Sequence, residues 1–332
     1  MTRSIAVGIP ADMIDGMFGR DRLVDHLTHA HPDARVTITA SPADFDDAAR
    51  RADAVLLGWG PFRLPESALQ PGSPLRWVHS NPAGVPAWLL DALRHQPEIA
   101  FTSSKGPMGP SMAEHAAAML LALARDLPAH QREQSQRYWR DLTEGGPMTL
   151  LQGKTAAILG VGAVGGHLAR ILHAGFGMRV LGMTRTSRDN PHVDRYFTRD
   201  ELLNVLLEAD AVVLTLPDTS DTAHVLDRAA IAAMKPTAIL VNVARGALVE
   251  EAALIDALRE GRLKSAGLDV FDQEPLPPDS PLWTLPNVIM TPHRSAITDG
   301  VADAILAFWA DNIRRFVDGQ PLFGTVDRAA GY

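Results

Sequence analysis

One stretch constrains this chain more than any other. Ala156-Ala157-Ile158-Leu159 is apolar on both faces, Gly160-Val161-Gly162-Ala163-Val164-Gly165 follows, and His167 to Leu172 has a helical pattern. A bare G-x-G-x-x-G is a weak signal, because glycine-rich turns are common. Between a strand and a helix it reads as a dinucleotide fingerprint. Gly160 permits the tight turn, Gly162 lets the backbone approach a pyrophosphate, and Gly165 lets helix and strand pack closely. The helix N-terminus, with Ala163 and Val164 in its first turn, then faces the negative charge.

The rest of the chain repeats the same grammar. Candidate strands are Ile5–Ile9, Val36–Thr39, Ala54–Gly58, Arg76–His79, Ile99–Thr102, Ala156–Gly160, Arg179–Met183, Ala211–Leu216, Ala238–Val243, Ala266–Val270 and Val288–Met290. Helical patterns such as Leu202–Glu208 and Glu251–Arg259 lie between them. This alternation predicts an α/β fold with parallel sheets covered on both faces. A long helical run is expected from about Ser111 to Arg137, and a last amphipathic helix from about Thr298 to Val317. At 332 residues the chain has room for about two domains.

Composition removes several function classes. Lys+Arg is 31 and Asp+Glu is 39, a formal net charge of −8, so neither nucleic acid nor an anionic membrane is an expected partner. The chain has no cysteine, which excludes a disulfide framework, a Cys-ligated metal and a thiol nucleophile. The longest apolar helical run, Ala116–Ala124, is shorter than the roughly 20 residues a membrane span needs. The N-terminus reads as a first strand and not a signal peptide, so a cytoplasmic location is expected. His26, His29 and His31 lie close together, but in one exposed-looking segment. They read as a solvated helix end, and no metal site is expected.

The strand after the glycine loop tests which dinucleotide is bound. NAD sites place an acid about 20 residues on, to bind the ribose 2′-OH. Here that position is Thr184, and no Asp or Glu occurs from Gly160 to Arg188. Thr184-Arg185-Thr186-Ser187-Arg188 offers hydroxyls and two guanidiniums, which suit a 2′-phosphate. The alternative is a solvated basic loop. NADP(H) is therefore expected ahead of NAD(H).

Three later segments each put a charged or titratable residue just after an apolar strand: Val241-Asn242-Val243-Ala244-Arg245-Gly246, Gly267 through Leu276 with Asp269 and Glu274, and Thr291-Pro292-His293. Ligands in open α/β sheets collect at the carboxyl ends of strands. With Ala83-Gly84-Val85, Ala113-Glu114-His115 and Gly153-Lys154-Thr155, these segments give a pattern spanning nearly the whole chain. It resembles the D-isomer-specific 2-hydroxyacid dehydrogenase family, which includes glyoxylate/hydroxypyruvate reductases. The spacings, 29 residues from Arg245 to Glu274 and 19 from Glu274 to His293, resemble the family too.

The resemblance implies two doubly wound domains, a Rossmann-type cofactor domain (103–290) inserted into a flavodoxin-like substrate domain (1–102 and 291–332). It implies NADP(H)-dependent reduction of a small 2-oxo acid, glyoxylate or hydroxypyruvate, to the D-2-hydroxy acid. Arg245 would hold the substrate carboxylate. His293 would be the general acid/base, and Glu274 would orient its imidazole. No metal is needed for such a reaction. Leu216, Pro217, Thr222, Val243 and Ala244 would line the cofactor. Asp269 would meet the nicotinamide amide or else cap a turn. Trp59, Gly60, Ala83, Gly84 and Val85 would contact substrate, and Phe62 would shape the pocket or simply pack. A homodimer is implied, with Trp139 near a neighbouring subunit.

Three departures from the family stand out. Pro86 follows Ala83-Gly84-Val85 where an Asp is usual, Thr184 replaces the usual cofactor-selecting Asp, and Arg294 directly follows His293. Arg294 would assist an anionic substrate or point to solvent. Two other readings stay open. One is the same reaction on a bulkier aryl or branched 2-oxo acid. The other is a dinucleotide-sensing interaction protein without turnover.

Overall fold

A computed structural model describes residues 2–57, 59–144, 146–185 and 189–332. The chain forms two units, Met1–Met108 with Thr298–Tyr332, and Gly109–Ile297. The first holds a five-stranded sheet of β1 (Arg3–Gly8), β2 (Ala34–Thr39), β3 (Ala54–Leu57), β4 (Trp77–Ser80) and β5 (Ala100–Ser103), in the order β2-β1-β3-β4-β5. The second holds seven strands: β6 (Thr155–Leu159), β7 (Arg179–Met183), β8 (Arg195–Phe197), β9 (Ala211–Leu214), β10 (Ile239–Asn242), β11 (Ser265–Leu268) and β12 (Val288–Met290). Their order is β12-β11-β10-β9-β6-β7-β8. Every ladder in both sheets is parallel. The first order is flavodoxin-like and the second is Rossmann-type.

Side-chain alternation explains why both sheets are covered twice. In β6, Ala156 and Ile158 join one core cluster while Ala157 and Leu159 join the other. In β3, Ala54 and Leu56 face one cluster and Val55 and Leu57 the opposite one. A parallel strand with apolar residues on both faces needs helices on both sides.

The joints differ from the sequence expectation. The units divide at 108/109 and 297/298, several residues beyond 102/103 and 290/291. Thr291 and His293 stay with the second unit because their backbone N–H groups donate to the carbonyls of Leu268 and Asp269 (3.0 and 2.8 Å). The chain then returns to the first unit, where the helix Val301–Val317 buries Ile305, Leu306, Trp309 and Ile313. Beyond it, Ser103 N–H donates to Gly324 C=O (2.8 Å) and Val326 N–H to Phe101 C=O (2.9 Å). This segment satisfies groups that the edge strand β5 would otherwise expose.

Two further expectations change. The long helical run is two helices, Gly109–Ala124 and Leu127–Gln136. Asp126 takes a left-handed conformation (φ 56°), and Pro128, which lacks an N–H, sits in the first turn of the second helix. The edge strand β8 has no counterpart among the expected strands. Among the described residues it pairs only with β7, and its Arg195-Tyr196-Phe197 lacks the apolar run that marks the equally short β12.

The first unit contains a buried polar network. Trp309 Nε1–H donates to His79 Nε2 (3.0 Å), which leaves Nδ1–H to donate to Thr102 Oγ1 (2.8 Å). Trp77 Nε1–H donates to the same hydroxyl (2.8 Å). Burial pushes the His79 pKa down to about 3, because an imidazolium there would lose its hydration and face the Trp309 donor.

Candidate active site

The reversal of strand order in the second sheet falls between β6 and β9, and the glycine loop leaves β6 at that point. A Cβ on Gly160 (φ 106°) would lie 2.9 Å from the backbone of Thr215 and Leu216, just beyond β9. A Cβ on Gly165 would fall 2.1 Å from Gly160 C=O. Both positions therefore exclude any side chain. Thr215 Oγ1–H closes the loop by donating to Gly160 C=O (2.6 Å).

Gly162 is different. It precedes the helix Ala163–Arg170, and nothing lies within 4 Å of where its Cβ would be. The helix has no acidic residue in its first turn and no side-chain cap. Open space before an uncapped, acid-free helix N-terminus fits a pyrophosphate. The residues present thus fit a dinucleotide.

Leu216 and Pro217 follow β9, and Thr222 Oγ1–H braces their loop by donating to Pro217 C=O (2.7 Å). Val243 and Ala244 follow β10 and are buried. Thr184 follows β7, with its N–H donating to Phe197 C=O (3.3 Å), and Arg185 beside it is exposed. Thr186, Ser187 and Arg188, and Gly58 in the first unit, lie outside the described residues.

Arg245, Glu274 and His293 follow β10, β11 and β12, which are neighbours in the sheet. Parallel pairing puts all three on the carboxyl edge. The Arg245 turn is clamped by buried Asn242, whose Oδ1 accepts Ala244 N–H (3.0 Å) and whose Nδ2–H donates to Arg245 C=O (2.8 Å). The guanidinium donates to Ala244 C=O (2.6 Å). Gly246 lies against the next loop, since a Cβ there would be 2.0 Å from the Phe271 carbonyl carbon. Only glycine lets the Arg245 turn touch the loop of Glu274.

Glu274 accepts Phe271 N–H through Oε1 (3.0 Å) and faces His293 Nδ1 through Oε2 (2.7 Å). The pair is partly open to solvent, with side chains 36% and 46% exposed. His293 itself has φ 52°, a left-handed conformation that non-glycine residues rarely adopt.

The Asp269 side chain caps the turn that carries His293. It is fully buried. Oδ1 accepts Arg294 N–H (2.8 Å) and Thr291 Oγ1–H (2.6 Å), and Oδ2 accepts Ser295 N–H (2.9 Å). Asn242, Gly246 and Thr291 are the residues sequence reasoning missed. Their one signal is position, each within a few residues of a strand end.

In the first unit, Trp59 and Gly60 follow β3, and Ala83, Gly84 and Val85 follow β4. Trp59 stacks on Phe18 (6.2 Å between rings, 26°). Phe62 packs edge-on against Phe45 and is 2% exposed, so it is part of the core. Pro86 precedes the helix Ala87–Leu93, and its carbonyl accepts Leu89 N–H (3.0 Å). Arg294 is exposed and has no ion pair among the described residues. His26 and His29 contact carbonyls one turn back on their own helix, and His31 meets Asp318 (3.2 Å). Among the described residues no helix is long and apolar enough to cross a membrane.

Residues 117–295 match the family model described as D-isomer specific 2-hydroxyacid dehydrogenase, NAD binding domain. The chain is 32% identical over 310 residues to glyoxylate/hydroxypyruvate reductase B of Serratia proteamaculans (strain 568), covering 92% of this chain and 91% of that one. It is 36% identical over 268 residues to glyoxylate/hydroxypyruvate reductase A of Salmonella typhi, covering 79% and 83%. Among solved structures it is similar to a D-isomer specific 2-hydroxyacid dehydrogenase from Xanthobacter autotrophicus Py2 in complex with NADPH and MES. The TM-score is 0.83 at 32% identity, with 100% of both chains covered.

Proposed function

Because the chain belongs to the D-isomer specific 2-hydroxyacid dehydrogenase family, we propose that it reduces a small 2-oxo acid, glyoxylate or hydroxypyruvate, to the D-2-hydroxy acid with NADPH. The observation that carries the reading is the 2.7 Å pair of Glu274 and His293, one strand along from the Arg245 turn. With Glu274 accepting from Nδ1–H, the free Nε2 is the nitrogen that carries the proton to be given away.

NADPH, when bound, supplies a hydride to the carbonyl carbon. His293 donates its Nε2 proton to the 2-oxo oxygen as the C=O double bond becomes a C–H and a C–O–H. Glu274 stabilises the imidazolium before transfer and keeps the ring aligned after it. Arg245 binds the substrate carboxylate through charge-assisted hydrogen bonds. In the reverse direction His293 takes the hydroxyl proton.

Gly160, Gly162, Ala163, Val164 and Gly165 are assigned to the pyrophosphate. Thr184, Arg185, Thr186, Ser187 and Arg188 are assigned to the 2′-phosphate. Leu216, Pro217, Thr222, Val243 and Ala244 are assigned to the rest of the cofactor. Trp59, Gly60, Ala83, Gly84 and Val85 are assigned to the substrate. The absence of an acid from Gly160 to Arg188 supports NADPH over NADH. A cytoplasmic homodimer completes the reading. Trp139, 93% exposed, and Leu142, three residues on and also exposed, offer apolar surface suited to a second copy.

The test is steady-state oxidation of NADPH with a panel of 2-oxo acids. Glyoxylate and hydroxypyruvate should give the highest kcat/KM. A preference for aryl or branched acids would replace them as substrates, and no turnover on any acid would point to a sensing protein.

A further inference from the structure

The loop that carries His293 is held by a carboxylate, and that carboxylate reaches a histidine that no reaction step uses. Thr291 Oγ1 has a single proton, and Asp269 Oδ1 takes it at 2.6 Å. The hydroxyl can therefore only accept from its other neighbour, His115 Nε2, at 2.9 Å. This fixes His115 as a donor through Nε2. Its ring also lies 3.9 Å from Asp269 Oδ1. His115 sits on the helix Gly109–Ala124, whose Ala113, Ala116 and Leu120 are buried in the core of the sheet. The chain of contacts thus runs from a rigid helix, through one hydroxyl and one buried carboxylate, to the backbone on both sides of His293.

We infer that His115 is a positioning residue for His293, acting through Thr291 and Asp269; the inference rests on the reduction proposed above. The left-handed backbone of His293 is the physical reason that such a brace is needed. A non-glycine residue pays a steric cost there and persists only where its surroundings over-determine it. Asp269 supplies that constraint by accepting the N–H groups of Arg294 and Ser295 (2.8 and 2.9 Å). A fully buried carboxylate holds such a geometry only while all its donors are in place. Thr291 is one of those donors, and His115 orients it. Losing the link leaves the His115 and Thr291 partners unmatched and lets the imidazole drift from the carbonyl it must protonate.

The experiment compares Thr291→Val and His115→Leu, which break the link, with Thr291→Ser and His115→Gln, which keep a hydroxyl and a donor. For the full-length enzyme it measures kcat, KM for glyoxylate, NADPH affinity by fluorescence titration, the solvent deuterium isotope effect on kcat, and Tm. The breaking variants should lose about tenfold or more in kcat, as misplaced reacting groups do. NADPH affinity should stay unchanged, and the solvent isotope effect should rise as proton delivery becomes slow. The conservative variants should recover most of kcat.

Wild-type kcat and isotope effect in folded Thr291→Val would overturn the role, as would equal losses in Thr291→Val and Thr291→Ser. If His115→Leu does not fold, the Thr291 pair decides. Wild type and His293→Asn are assayed beside them. Turnover that needs His293 but ignores Thr291 removes only the positioning role, whereas no turnover by wild type removes the reaction and this role together.

Discussion

Glu274 is anchored by its own loop before it meets His293. Oε1 accepts the N–H of Phe271 at 3.0 Å, and Oε2 lies 2.7 Å from the imidazole Nδ1. The carboxylate therefore orients the histidine and is not merely attracted to it. His293→Asn should lower kcat by about 10²–10⁴, the usual contribution of a general acid. Glu274→Gln keeps the shape but removes the carboxylate charge beside the imidazole, so kcat should fall by a smaller factor. Steady-state kinetics on the two variants checks the order. A larger loss in Glu274→Gln than in His293→Asn would contradict it.

Arg245 is expected to act on substrate binding. Arg245→Gln removes charge-assisted hydrogen bonds of about 1.5–3 kcal/mol, so kcat/KM should drop about 10- to 100-fold. Most of the loss should appear in KM for the 2-oxo acid, with NADPH affinity retained. Arg245→Lys should recover only part, because an ammonium cannot present the guanidinium fork.

Gly246 joins the Arg245 turn to the Glu274 loop. Gly246→Ala places a methyl group 2.0 Å from the Phe271 carbonyl carbon, so one loop must move. Overpacking of this kind costs about 1–3 kcal/mol. A lower Tm together with a lower kcat is expected, and differential scanning fluorimetry with kinetics on the same sample tests it. An alanine variant with wild-type values for both would show that the loops separate without consequence.

Cofactor choice is expected to turn on Thr184. Thr184→Asp puts an acid at the end of β7, where it repels a 2′-phosphate and accepts from a 2′-hydroxyl. The ratio of kcat/KM for NADPH to that for NADH should fall, chiefly through NADPH. An unchanged ratio would place the selectivity elsewhere.

His79 makes stability depend on pH. Its pKa falls from 6.5 to about 3 on folding, so the unfolded chain binds this proton at a higher pH than the folded one. The contribution of neutral His79 is fully present above pH 6.5 and is lost as pH falls toward 3. The slope is about 1.4 kcal/mol per pH unit within that window. Urea unfolding of wild type and His79→Gln at several pH values measures it. The variant should be less stable at neutral pH and show a shallower decline toward acid.

Much of this was legible in the order of residues. Apolar runs such as Ala211 to Leu214 mark buried parallel strands because burial on both faces leaves no polar position. The glycines at 160 and 165 are legible because a sharp turn and a close approach each forbid a side chain, and that demand is local. Arg245, Glu274 and His293 are legible as polar residues just past strand ends, since the edge of a sheet is where such groups gather.

Hydrogen-bond partners were decided only by the tertiary structure. Asp269 follows a strand as Glu274 nearly does, yet one carboxylate is buried under the loop 291–295 and the other faces His293. Phe62 has the composition of a pocket residue but is core, because Phe45 and Gly8 come to lie against it. The second unit keeps Thr291 and His293 through bonds to Leu268 and Asp269 that local pattern does not record. Periodicity and glycine report what a residue does to its own backbone. Which acceptor a donor finds depends on strands brought together from far apart in the chain, and only the folded sheet sets those distances.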